Sequence, residues 1–215
     1  MKNPIIVLTE EFVRNELAED ATGHDWFHVD RVRRNALHIC REEKTGEAFI
    51  IEMAALLHDI PDEKLNESIE KGEEKLETFL QTIPLTDNEK KHIKQIIATI
   101  SYKGGINSEL STIEAKIVQD ADRLDAIGAI GIARAFAYGG KKGQPIYNPG
   151  IKVRNEMSLE EYRKGKSTSI HHFYEKLLKL KDLLNTESAR EMAESRQKMM
   201  ETFLEQFYQE WDGQE

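Results

Sequence analysis

The sequence predicts an all-α protein, and three observations carry that prediction. Apolar residues recur at three- and four-residue spacing through most of the 215 residues. No segment shows the sustained two-residue alternation of a half-buried strand. The breaks between periodic segments coincide with helix-ending residues, at Gly23, Thr45-Gly46 and Pro84. Taken in order, Thr9 is the expected N-cap of a first helix carrying Phe12, Val13, Glu16 and Leu17. A second helix is expected from about His24 to Lys44, with Val29, Val32, Ala36, Leu37, Ile39 and Cys40 as its apolar stripe. A third runs from Glu47 to about His58, and a more exposed, charge-rich helix covers Asn66 to Gln81. Thr86, with Glu89 three positions on, reads as a capping box for a helix whose Ile93, Ile96, Ile97 and Ile100 face inward. One long helix is expected over Thr112–Ala137, with alanine and isoleucine on several faces and therefore central to the core. Between Tyr138 and Met157 the pattern stops. Gly139-Gly140, Gly143, Pro145, Pro149 and Gly150 mark a loop there, of a length more often functional than structural. Ser158 with Glu161 restarts helix, and two further helices are expected at roughly Thr168–Leu184 and Thr186–Trp211. Neither a repeat nor a domain boundary interrupts the series, so residues 1–215 are expected to form one domain, a helical bundle with a long glycine- and proline-containing loop.

Composition narrows the function classes. Hydrophobic residues at 39% and charged residues at 32% describe a globular chain with enough apolar material for a core. A net charge of −9 argues against duplex nucleic acid or an anionic membrane as the partner. It leaves room for a phosphorylated small molecule, because a divalent ion and a few local cations reverse the sign inside one pocket. Cys40 is the single cysteine, which excludes an intramolecular disulfide and a cysteine-based zinc site. The N-terminal apolar stretch is short for a signal peptide and no window approaches a membrane span, so a cytoplasmic enzyme is expected.

The chemistry concentrates around a doublet, His58-Asp59. It closes the apolar run Met53-Ala54-Ala55-Leu56-Leu57 and is followed by Ile60-Pro61, where proline stops further helix. Two adjacent metal-binding side chains at the end of a buried helix suit a cation. His28 and the acidic segment Asp120-Ala121-Asp122-Arg123-Leu124-Asp125 are the candidates to complete its shell. Asp122 sits in a segment that otherwise reads as core, and a buried carboxylate needs a cation or donors to offset desolvation. Arg123 and Asp125 could supply an ion pair there instead.

His28, His58-Asp59 and Asp122 resemble the H…HD…D pattern of the HD superfamily of metal-dependent phosphohydrolases, and most closely its bacterial YpgQ/YedJ-type branch. The resemblance is carried by residues 23–32, 54–60 and 117–131, and extended by Tyr147-Asn148-Pro149 and His172-Phe173-Tyr174-Glu175-Lys176-Leu177-Leu178. It implies an all-α fold and the metal ligands His28, His58, Asp59 and Asp122. The match of Ala121-Asp122-Arg123-Leu124 to the final-aspartate motif favours Asp122 over Asp120 and Asp125. Two imidazoles and two carboxylates suit Mn²⁺, Fe²⁺, Co²⁺ or Ni²⁺, with Mg²⁺ also possible, and the resemblance to nucleotide-cleaving members favours manganese; binuclear HD enzymes use additional histidines between the doublet and the last aspartate, so one ion is expected. His92 is the only histidine between the doublet and the last aspartate, and is expected on a helix flank.

Asp62 and Glu63 resemble the acidic pair that follows the doublet in alarmone-hydrolysing HD enzymes, where it assists attack; they are the expected general acid–base residues. Phosphate calls for cations, and Arg31, Lys64, Lys103 and Lys176 are the candidates. His172 is expected at the pocket wall or in helix packing, and Tyr147 either stacks on a base or anchors the loop. The implied activity is cleavage of nucleoside triphosphates, especially deoxy forms, to monophosphate and pyrophosphate by attack of a metal-activated water. The alternatives are hydrolysis of a phosphomonoester, an alarmone or a cyclic nucleotide, or a nucleotide-binding module without turnover.

Overall fold

In the computed structural model, which describes residues 3–18, 23, 25–62, 65–100, 110–154, 165 and 167–214, the first helix starts at Pro4 rather than after Thr9. Asn3 caps this helix, α1 (Pro4–Glu16), by accepting from the Ile5 amide, and proline occupies the position where a missing N–H costs nothing. Thr9 is instead a buried mid-helix residue whose hydroxyl donates to the Ile5 carbonyl at 2.8 Å. A stronger cap with proline behind it displaces a weaker one downstream.

Contacts divide the chain into two compact units, Met1–Tyr102 with Asn107–Asp122 and Lys103–Ile106 with Arg123–Glu215. The first holds α1, α2 (Trp26–Glu43), α3 (Ala48–Leu57), α4 (Ile69–Thr82), α5 (Asp87–Ile100) and most of α6 (Ile113–Asp125). Helix α3 lies at its centre, packed against α1, α2 and α5. Ile50, Ile51 and Met53–Leu57 are each at most 1% exposed, as expected of a helix that is apolar all round. The Thr86–Glu89 capping box forms at the head of α5, with the carboxylate accepting from the Thr86 amide and hydroxyl and Thr86 Oγ1 accepting from the Glu89 amide. Helix α4 starts three residues later than expected, because Ser68 and not Asn66 caps it.

In the second unit the long helix expected over Thr112–Ala137 is two helices. Helix α6 ends at Asp125, and α7 (Gly128–Lys141) begins after a turn closed by amides of Ala126 and Ile127 on the carbonyls of Arg123 and Leu124. Gly128 takes φ +75°, which favours glycine, and a Cβ at Gly131 would stand 2.2 Å from the Ala126 carbonyl oxygen. Helix α7 then absorbs Tyr138 to Lys141, so the loop begins later than the sequence suggests. The loop is tied down by Ser169 and Ile170 amides donating to the carbonyls of Pro145 and Ile146. The helix restart expected at Ser158 and Glu161 lies outside the described residues. The expected helix Thr168–Leu184 shortens to α8 (Ser169–Glu175), capped by Thr168, followed by 3-10 turns at Leu177–Lys179 and Lys181–Leu183. The three-residue period of a 3-10 turn puts Leu177 and Leu180 on one buried side. Helix α9 (Glu187–Trp211) packs on α7. No strand occurs among the described residues, and none of their helices is long and apolar enough to cross a membrane. The fold is all-α.

Candidate metal centre

Three side chains of the first unit present ligand atoms within 4.8 Å of one another: His28, His58 and Asp59, all buried. Each is placed by its element. His28 stands in the first turn of α2, where Asp25 caps the helix by accepting from the His28 amide at 2.9 Å. His58 is the C-cap of α3, so the most buried helix of the unit delivers the doublet directly from the core. The carbonyl of Ala55, one turn back, lies 2.8 Å from His58 Nδ1. A carbonyl only accepts, so the proton sits on Nδ1 and the Nε2 lone pair points into the cluster. The sequence reading did not single out Ala55; its three-residue spacing before a histidine at a helix end was the available signal.

Asp122, on α6, brings its carboxylate to the same place. Oδ1 is 3.5 Å from His28 Nε2 and 3.9 Å from His58 Nε2, while the Asp59 oxygens are 3.3 Å from each imidazole. Asp122 was expected in a buried stretch, yet its side chain is 38% exposed against 9% for Asp59. It marks the open side of the centre. Of the residues considered for an ion pair here, the Arg123 guanidinium donates to the Leu183 carbonyl, and the Asp125 carboxylate accepts from Arg134 at 2.8 Å.

The donor set fits a divalent ion. Bonds of about 2.0–2.2 Å place neighbouring ligand atoms about 3–3.5 Å apart, close to the spacing found. His58 Nε2 is fully buried and makes no hydrogen bond, which costs free energy unless something accepts its lone pair. A cation does so. His92, on α5, lies 3.7 Å from Glu114 and is not one of the clustered groups among the described residues.

Of the other expected site residues of the first unit, Arg31 is half-buried on α2 one turn beyond His28, and Asp62 is half-buried in the turn after the doublet. Glu63, Lys64 and Lys103 lie outside the described residues. Tyr147, His172 and Lys176 belong to the second unit. There Tyr147 meets His171, Phe207, Tyr208 and Trp211 edge-to-face, with centroids 5.0 to 5.9 Å apart, the arrangement of a packing anchor. Burial, with the Lys176 ammonium one turn away, pushes His172 down to about 4. Burial alone would raise the Glu175 carboxyl. Arg154, at 2.7 and 2.8 Å, and Ser167, at 2.9 Å, override that and hold it below its ordinary value.

An all-helical unit whose central helix ends in a histidine–aspartate doublet, met by a histidine and an aspartate from two other helices, defines an HD-type metal-dependent hydrolase. The HD domain family model matches residues 26–127. The protein YpgQ of Bacillus subtilis (strain 168) is 37% identical over 204 residues, 94% of this chain and 91% of that one. A crystal structure of an HD-superfamily hydrolase from Bacillus thuringiensis is 49% identical, covers 96% of both chains and superposes with a TM-score of 0.74. The crystal structure of Bacillus subtilis YpgQ in complex with ADP superposes with a TM-score of 0.76 at 34% identity, over 95% of this chain and 97% of that one. The chain belongs to the HD family and is a hydrolase of phosphoanhydride or phosphoester bonds.

Proposed function

We propose that this protein hydrolyses nucleoside triphosphates, deoxynucleotides foremost, to the monophosphate and pyrophosphate, with manganese as its working ion. The observation that carries the reading is the convergence of His28, His58, Asp59 and Asp122 within hydrogen-bonding to van der Waals range. The ADP bound to the relative YpgQ supports a nucleotide as the substrate class. His28, His58, Asp59 and Asp122 would hold the ion. When bound, a divalent ion supplies a nucleophile at neutral pH and offsets phosphoryl charge.

The remaining work falls to the chain. Asp62, three residues beyond Asp59, is assigned with Glu63 to general acid–base duty, since the turn keeps it beside the doublet. Arg31, on the face of α2 that also carries His28, is assigned to the substrate phosphates together with Lys64. The test is a panel of nucleoside triphosphates, monophosphates and cyclic nucleotides with Mn²⁺ or Mg²⁺, its phosphorus products separated by chromatography. Pyrophosphate and monophosphate are expected from triphosphates. Orthophosphate alone, or a linear product from a cyclic substrate, would replace this reading with a phosphatase or phosphodiesterase.

A further inference from the structure

The turn that carries the doublet onward is braced from outside. Asn66 Nδ2 donates to two carbonyls at once, Ile60 at 2.7 Å and Asp62 at 2.9 Å. The same turn is closed by amides of Ile60, Asp62 and Leu65 on the carbonyls of Leu57, Asp59 and Asp62. From the other side α4 presses directly on it. A Cβ at Gly72 would stand 2.7 Å from both Cα and the carbonyl oxygen of Pro61, and 2.9 Å from Asn66 Nδ2, so only a glycine lets the helix approach this closely.

The consequence falls on Asp62. Its Cα–Cβ direction follows from the peptide planes on either side: the plane before it is held by the Asp62 amide on the Asp59 carbonyl, and the plane after it by the Asp62 carbonyl, which accepts from both Asn66 and the Leu65 amide. Asn66 ties that carbonyl to the one of Ile60. Helix α3 and Ala55 fix His58 independently, and α2 fixes His28. The two histidine ligands and the acid–base group are therefore held by separate supports.

We infer that Asn66 is a positioning residue, which aims the Asp62 carboxylate at the reacting centre through its two carbonyl bonds, with Gly72 as the close contact that keeps it in place. This rests on the acid–base role proposed for Asp62. A misplacement of order 1 Å at such a group costs up to about 100-fold in rate.

The experiment compares Asn66→Ala, Asp62→Asn and the double variant by steady-state kinetics, by divalent-ion titration of the metal-free protein, and by amide exchange. Asn66→Ala should lower kcat about 10- to 100-fold with KM and ion affinity within about threefold of the parent. The Asp62 and Leu65 amides should exchange faster. Adding Asn66→Ala to Asp62→Asn should cost nothing more, because the group being aimed is already gone. Multiplicative losses in the double variant, or ion affinity falling in step with kcat, would make Asn66 merely structural and overturn the inference. Unchanged exchange at the two amides would overturn it without reference to turnover. A parent protein inactive on every phosphorus substrate would instead sink the proposed function, with the exchange arm still deciding whether the brace exists.

Discussion

His58 shows how one hydrogen bond selects the chemistry a side chain can do. With Nδ1 committed to the Ala55 carbonyl at 2.8 Å, only Nε2 is left to face Asp59 and Asp122. Replacing His58 or Asp59 with alanine should therefore abolish cation binding and turnover together, as titration of the metal-free variants and the product assay would show. Asp62→Asn should separate the two, binding the ion as before while losing at least about 100-fold in rate. Retained turnover without bound ion in the first pair would refute the metal centre; an unimpaired Asp62→Asn would remove that residue from the reaction. The four clustered residues were legible because their types and order are themselves a pattern. The exposure of Asp122 was not. Successive helix positions turn by about 100°, so Ala121 and Arg123 can be buried while Asp122 between them reaches the opening, a distinction that an apolar segment average erases.

At the level of elements, the sequence located helices well wherever a local signal ended them and poorly where the signal was tertiary. The Thr86–Glu89 box acts within four residues and forms as expected, and the helix expected from about Thr168 starts there, capped by that residue. The break between α6 and α7 depends on contacts with residues distant in sequence. Periodicity runs straight through Ala126-Ile127-Gly128, but the Arg196 guanidinium donates to the Leu124 carbonyl, and a Cβ on Gly128 would stand 2.9 Å from Arg196 Cβ. Glycine is required at this corner by both φ and space. Gly131→Ala, which forces a methyl within 2.2 Å of a backbone oxygen, should cost about 1–3 kcal/mol. Gly128→Ala adds a left-handed alanine and should cost about 1–2 kcal/mol. Urea midpoints measured with the m-value held constant would show both losses, and midpoints equal to the parent's would mean the corner is not constrained as described.

For the whole molecule, the class of fold and the family could be read from the sequence because both are written in repeated or ordered residue types. Its response to pH is written only in burial, which sequence does not display. His172 is the clearest case. In the unfolded chain it titrates near the ordinary 6.5, whereas in the fold burial and Lys176 bring it down to about 4. Between those values the unfolded state holds more protons, so stability must fall as pH falls from 6.5 towards 4 and cease to change through this group below that. Glu175, held low by Arg154 and Ser167, adds a loss of the same sign beginning below its ordinary 4.5. Measured on metal-free protein, so that titration of the ligand histidines against bound ion does not enter, the urea midpoint should drop between pH 7 and pH 5. His172→Gln removes the titrating ring and should flatten that portion of the curve, while the decline below 4.5 persists. A His172→Gln protein with the parent's full slope between pH 7 and 5 would mean that the fold does not hold this imidazole neutral.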